Sequence, residues 1–198
     1  MTEEREGTAR RRRGPRKATP ERLEKAAWAY LERHPSATAN LRRVLMRRVQ
    51  RSAQWHGTDA DEGAEAVEAI VAKLQRAGVL DDRAYAEARA VGLHRAGHGV
   101  RAIRARLAQK GVDRETAEAA LERLADEAAD PELGAAVRHA RKRRLGPYRG
   151  TGRAANRERD LAALCRKGFP PGVAEKVVDA PDAGELEAEA DIQPGPLG

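Results

Sequence analysis

This sequence is short of aromatic residues, cysteine and long apolar runs, and each shortage excludes something. Aromatics are 3% of 198 residues: two Trp, three Tyr and one Phe. The apolar fraction is 40% and much of it is alanine. That composition favours thin, closely packed helices over a thick sheet core of bulky β-branched and aromatic side chains. No apolar run approaches the roughly 18 residues of a membrane span, and the charged N-terminus has no apolar stretch behind it, so a secretory signal is not expected. The one cysteine, Cys165, cannot form a disulfide within the chain, which fits a reducing cytoplasm. Its expected role is a small buried helix residue.

The signatures of catalysis are scarce as well. There is no G-x-x-x-x-G-K-[ST] loop and no G-x-G-x-x-G turn for phosphates. His94 and His98 have i, i+4 spacing, but Gly97 breaks the helix between them and no cysteine or third histidine is near, so a metal pair is not expected. Asp81-Asp82 precedes an apolar helix, a position that suits capping better than acid chemistry. The expectation is a protein without catalytic residues, cofactor or metal.

What the chain does have is repetition. Leu107-Ala-Gln-Lys110-Gly111-Val112, then Ala117-Glu118, is echoed at a constant offset by Leu164-Cys-Arg-Lys167-Gly168-Phe169, then Ala174-Glu175. Val67, Ile70, Val71 and Leu74 share the i, i+3, i+4, i+7 spacing of one helix face with Ala117, Ala120, Leu121 and Leu124. Echoes of about 50 residues in helical sequence mark stacked units, each too thin to bury its apolar face alone. The spacing predicts an all-α fold of three tandem three-helix repeats stacked into an elongated, curved array.

Helix punctuation places the repeats. Thr19-Pro20-Glu21 and Asp130-Pro131-Glu132 each offer a cap, a proline in the first turn and a carboxylate at the positive helix end. Repeat 1 is expected over 19–78 with helices at about 20–33, 37–53 and 62–77, and repeat 2 over 79–129 with helices at about 82–95, 100–110 and 114–128. Repeat 3 is expected over 130–180, with helices at about 131–144, 153–167 and 171–180. Residues 1–18, containing Arg10 to Arg13, read as a disordered basic arm, and residues 181–198 as a disordered acidic tail.

Charge is unevenly spread over the formal net of +7. Between Arg138 and Lys167 there are eleven basic residues against Glu158 and Asp160, whereas six carboxylates and no base follow from Asp179 onward. Middle helices carry runs of their own: Arg42, Arg43 and Arg47, then Arg101, Arg104, Arg106 and Lys110. With Arg141, Lys142, Arg143, Arg144, Arg149, Arg153 and Arg157 these form a candidate basic strip, suited to a phosphate backbone or an acidic protein groove. Ordinary solvated helix faces are the alternative reading. With six scattered aromatics, stacking is not expected to lead the binding, and Tyr148, in its Gly-rich loop among arginines, is the candidate for it. The opposite charges of the tail and the third repeat suggest that the tail folds back onto that repeat.

The run Gly78-Val-Leu-Asp-Asp-Arg-Ala-Tyr-Ala-Glu, followed by Arg95 to Gly99 and Val100-Arg-Ala-Ile-Arg-Ala-Arg-Leu-Ala-Gln-Lys-Gly-Val, resembles the central repeat of the RecX regulatory proteins. Ala26 to Leu31, Ser36 and Leu41 to Leu45 resemble the first repeat of that family, and Leu164 to Gly168 its third. The resemblance implies three three-helix repeats in a cytoplasmic protein without catalytic activity. It also implies binding to the RecA recombinase filament on single-stranded DNA, restraining its growth, ATP hydrolysis and strand exchange. Two departures stand out: Arg48-Val49 and a segment through Trp55 and Gly57 replace a Lys-Gly helix end, and Tyr85 stands where phenylalanine is usual. A helical-repeat protein that binds DNA without sequence preference, and acts by competition, is the alternative. A monomer is the working expectation.

Overall fold

The computed structural model describes residues 14–126 and 130–191. Among them are ten α-helices and no strand. They are α1 (Pro20–Leu31), α2 (Thr38–His56), α3 (Ala60–Arg76), α4 (Asp82–Arg95), α5 (Val100–Lys110), α6 (Arg114–Asp126), α7 (Pro131–Arg143), α8 (Arg153–Arg166), α9 (Pro171–Asp179) and α10 (Ala183–Glu189), with a 3-10 turn at Gly146–Tyr148. No helix among the described residues is long and apolar enough to cross a membrane.

Side-chain caps start several of these helices. Asp81 accepts the Ala84 N–H at 2.9 Å, Asp113 that of Thr116 at 2.8 Å and Asp130 that of Leu133 at 2.9 Å, each worth about 1 kcal/mol. The repeat echo has a structural counterpart at the helix ends. Gly111 and Gly168 both take left-handed backbone, at φ 84° and 95°. The following N–H closes the same ring in both: Val112 to the Leu107 carbonyl at 3.1 Å, and Phe169 to the Leu164 carbonyl at 3.3 Å. Val112 and Phe169 are buried as a result.

The chain divides into two compact units, one built from residues up to His34 and Leu41–Val79, the other from Pro35–Asn40 and the chain from Leu80 onward. The first unit buries Leu23 and Ala27 of α1, Leu41, Leu45 and Val49 of α2, and Val67, Ile70, Val71 and Leu74 of α3. Gly63 lies so close to Val49 that a Cβ there would come within 2.5 Å of a valine methyl. Two expectations are corrected here. α2 runs to His56 rather than ending near 53, and Gly14 to Ala18 are not part of a disordered arm. The fully buried Ser52 hydroxyl accepts the Ala18 N–H at 3.0 Å, and His56 Nε2 donates to the Pro15 carbonyl at 2.6 Å. The extra turn of α2 therefore supplies His56, one of the two groups that hold this segment. Residues 1–13 lie outside the described residues.

The second unit has two cores. Ala86, Ala90, Leu93, Ile103, Leu107, Val112, Ala117 and Leu121 form one around α4–α6, joined by Ala37. Leu133, Val137, Leu164, Phe169, Val177 and Val178 form the other around α7–α9. Backbone contacts weld them: the Gly99 N–H donates to the Lys167 carbonyl at 3.1 Å, and a Cβ on Gly99 would lie 2.6 Å from the Gly168 backbone. Glu132 reaches across to accept the Val100 N–H at 3.1 Å, supplying the cap that Gly99 lacks. His94 Nε2 donates to the Pro131 carbonyl at 2.6 Å.

The expectation of a disordered tail is corrected for residues 181–191, whereas its expected folding back onto the third repeat is seen there. Residues 183–189 form α10, which packs against α7 with Leu186 in the α7–α9 core. Asp182 starts it by accepting the Gly184 and Glu185 N–H groups at 2.7 and 2.9 Å. Residues 192–198 lie outside the described residues. Cys165, expected to be buried, is exposed.

Candidate functional site

The basic residues singled out in the sequence separate into two populations. One is paired with groups of the protein itself. Arg42 makes a two-pronged pair with Glu68 at 2.5 and 2.9 Å, and Arg104 does the same with Glu118 at 2.6 and 2.9 Å. Arg149 clasps the buried Asp160 at 2.8 and 2.7 Å, while the Gly146 N–H donates to that carboxylate at 2.9 Å. Arg157 pairs with Asp179 at 2.7 and 2.6 Å. Arg153 donates to the carbonyls of Val178 and Ala180, and so closes the C-terminal end of α9. Arg141 meets Glu187 of α10 at 3.3 Å. All six have a partner within the fold, and Arg42, Arg104 and Arg157 make theirs in solvent-exposed ion pairs.

Tyr148 belongs with them. Its hydroxyl donates to Glu187 at 3.2 Å, and its ring is half-buried against the α7–α9 core. Burial, then the Glu187 charge, raise its pKa above the usual phenol range. It is not an open stacking surface.

The second population is solvated. Arg47, Arg101, Arg106, Lys142, Arg143 and Arg144 are exposed and have no carboxylate partner among the described residues. Lys110 is half-buried at the end of α5, and Arg43, exposed on α2, also interacts within the protein. Within the second unit several of these line two adjoining clefts, of about 460 and 510 Å³, that share Arg166 and Lys167. One is lined by His139 and Arg143 of α7 and Arg159 of α8, the other by His98 with Arg101 and Arg106 of α5. Their one carboxylate, Asp160, is already occupied by Arg149.

The titrating groups register the resulting field. Burial, then Arg106, Arg143 and Lys142, hold the Lys167 ammonium below its ordinary pKa. Burial, then Lys167, Arg106 and Arg89, lower His98. His139 is pushed down to about 4, first by burial and then by Lys167, Arg143, His98 and Lys142. Both imidazoles are therefore neutral at pH 7, and the clefts present uncompensated arginine and lysine charge. Such a surface can hold phosphate or carboxylate groups through charge-assisted hydrogen bonds. No group of three or more metal-ligating side chains occurs among the described residues.

The candidate strip omitted Arg159, Arg166 and Lys167. A signal for them existed: Arg159 and Arg166 are seven apart, hence on one face of a helix, and Lys167 is the counterpart of Lys110 in the repeat echo. His98 and His139, from different repeats, had no local signal.

A family model described as RecX, second three-helix domain, matches residues 81–121. The regulatory protein RecX of Myxococcus xanthus is 47% identical over 170 residues, 84% of this chain and 89% of that protein. The chain belongs to the RecX family. The RecX regulatory protein of Thermobifida fusca is 35% identical over 127 residues, covering 63% of this chain and 64% of its own. A crystal structure of a regulatory protein RecX superposes with a TM-score of 0.58 at 23% identity, over 81% of this chain and 71% of that one. That likeness establishes a shared RecX fold.

Proposed function

We propose that this RecX-family regulatory protein binds the RecA recombinase filament on single-stranded DNA. There it restrains extension, ATP hydrolysis and strand exchange, as a cytoplasmic monomer and without catalysis of its own. The observation that carries the reading is the pair of adjoining clefts around Arg166 and Lys167, where α5, α7 and α8 contribute unpaired cations and no free carboxylate. Contacts from such a surface to a phosphate backbone are electrostatic and blind to sequence. Several weak contacts made together to one filament give slow release without any single strong site. A regulator that holds neighbouring recombinase subunits in place, or obstructs the addition of the next, needs that property more than it needs a pocket.

The test is to add the protein to preformed RecA filaments, well below saturation of the DNA, and to follow ATP hydrolysis. Inhibition at substoichiometric ratios supports direct action on the filament. Inhibition only when free DNA is titrated away would contradict it and favour the non-specific DNA-binding alternative.

A further inference from the structure

Two large rings are exposed in the first unit, Trp28 at 40% and Trp55 at 65%. Trp28 is engaged by Glu24, one turn away on α1. Trp55 has a different setting, at the end of the extra turn of α2. The backbone at Gly14 lies against its indole, close enough that a Cβ there would fall 2.6 Å from Cε2. The chain after Gly14 and the chain around Trp55 are tied together. Ser52 accepts from the Ala18 N–H and from the Thr58 hydroxyl at 3.0 and 2.8 Å, and His56 donates to the Pro15 carbonyl at 2.6 Å. An aromatic ring propped by backbone in this way loses little freedom on binding.

The charge around it is of one sign. At about 100° per residue, Arg47, Arg48, Arg51 and Trp55 fall within roughly a 100° arc of α2. The three arginines are exposed and have no carboxylate partner among the described residues.

We infer that Trp55, flanked by Arg48 and Arg51, is a base-stacking site for single-stranded DNA. An open π-surface among guanidinium groups suits a strand whose bases are unpaired: the ring takes a base face and the arginines take the adjoining phosphates. Duplex DNA offers the phosphates but keeps its base faces covered. The recognition is indifferent to base identity, because every base has a face to stack. The site does not depend on the recombinase reading, since single-stranded DNA alone should occupy it.

The experiment uses the full chain carrying Trp28→Phe, so that Trp55 is its only indole. It is titrated at low salt with an oligothymidylate of about 15 nucleotides, within the span of single-strand sites, with indole emission and the anisotropy of a labelled oligonucleotide followed together. Emission should fall by about half as binding saturates. Trp55→Ala should weaken binding about tenfold and Trp55→Phe by less than about threefold, both with unchanged helical circular dichroism. Unchanged emission at saturation, no binding, equal quenching by duplex DNA or by polyglutamate, or wild-type affinity in Trp55→Ala would each overturn the assignment. Oligonucleotide binding through Trp55 without filament inhibition would leave this site standing and remove the recombinase reading instead.

Discussion

On one side of α8, Arg153 and Arg157 turn toward the end of α9, where they meet backbone carbonyls and the Asp179 carboxylate. On the other side, roughly 150° around the helix, Arg159 and Arg166 line the cationic clefts and make no ion pair among the described residues, the nearby Asp160 being held by Arg149. The two pairs are indistinguishable by residue type and by density of charge. What separates them is the neighbour each helix face acquires when the repeat closes. An arginine beside a helix C-terminus or a carboxylate is consumed by the fold, whereas one facing other cations remains available to a partner.

The contrast breaks most severely on the fastened side. Asp160→Ala strands both Arg149 and the Gly146 N–H, and should cost about 3 kcal/mol in chemical denaturation. The Arg149 guanidinium, followed by the Gly146 N–H, holds the Asp160 carboxyl below its ordinary range. Its contribution is therefore complete above the unfolded carboxylate pKa of about 3.9 and is lost as pH falls through the lower folded value. The gap between wild type and variant should accordingly close only in acid below about pH 4.

The cleft side is sharpened by pH. His139 titrates at about 4 in the fold against about 6.5 in the unfolded chain, so the unfolded state takes the proton first. Stability should decline between about pH 6.5 and 4 by on the order of 2–3 kcal/mol. His139→Gln should flatten that slope in urea titrations at pH 7 and pH 5. An equal slope in the variant would remove His139 as its source. A smaller loss is expected for Arg153→Gln, about 1–2 kcal/mol for charge-assisted bonds to the α9 carbonyls, read as a lowered unfolding midpoint.

The fold was more legible in the sequence than the site, for a reason of range. Caps such as Asp81 and Asp113 and turn glycines such as Gly111 and Gly168 act within a few residues, so helix limits and the repeat echo can be read locally. α7 closes on Arg144, a non-glycine at φ 55°, and still keeps the expected limits of about 131–144. Contacts over long sequence separation were hidden. Pro15 finds His56 forty-one residues on, and Arg141 finds Glu187 forty-six residues on. Those two contacts turned parts of an expected arm and tail into structure. Arginine pairing has the same character, since Arg149 and Arg157 find their carboxylates eleven and twenty-two residues away. The sequence therefore shows how much positive charge exists, and only the packed helices show which part of it is spare.

The most direct test sets the open and the fastened cations against each other in one assay. Arg143, Arg166 and Lys167 are changed to glutamate in one variant, and Arg153 and Arg157 to glutamine in another. Each is measured for unfolding midpoint, single-stranded DNA affinity across a salt series and inhibition of RecA ATP hydrolysis. The first variant should keep its midpoint, bind about tenfold or more weakly and show a shallower salt dependence, by about 0.7 in log-log slope for each phosphate no longer neutralised. The second should unfold earlier and bind as wild type while folded. Undiminished binding and inhibition by the first variant, or failure of the folded second to bind, would contradict the assignment of function to the cationic clefts.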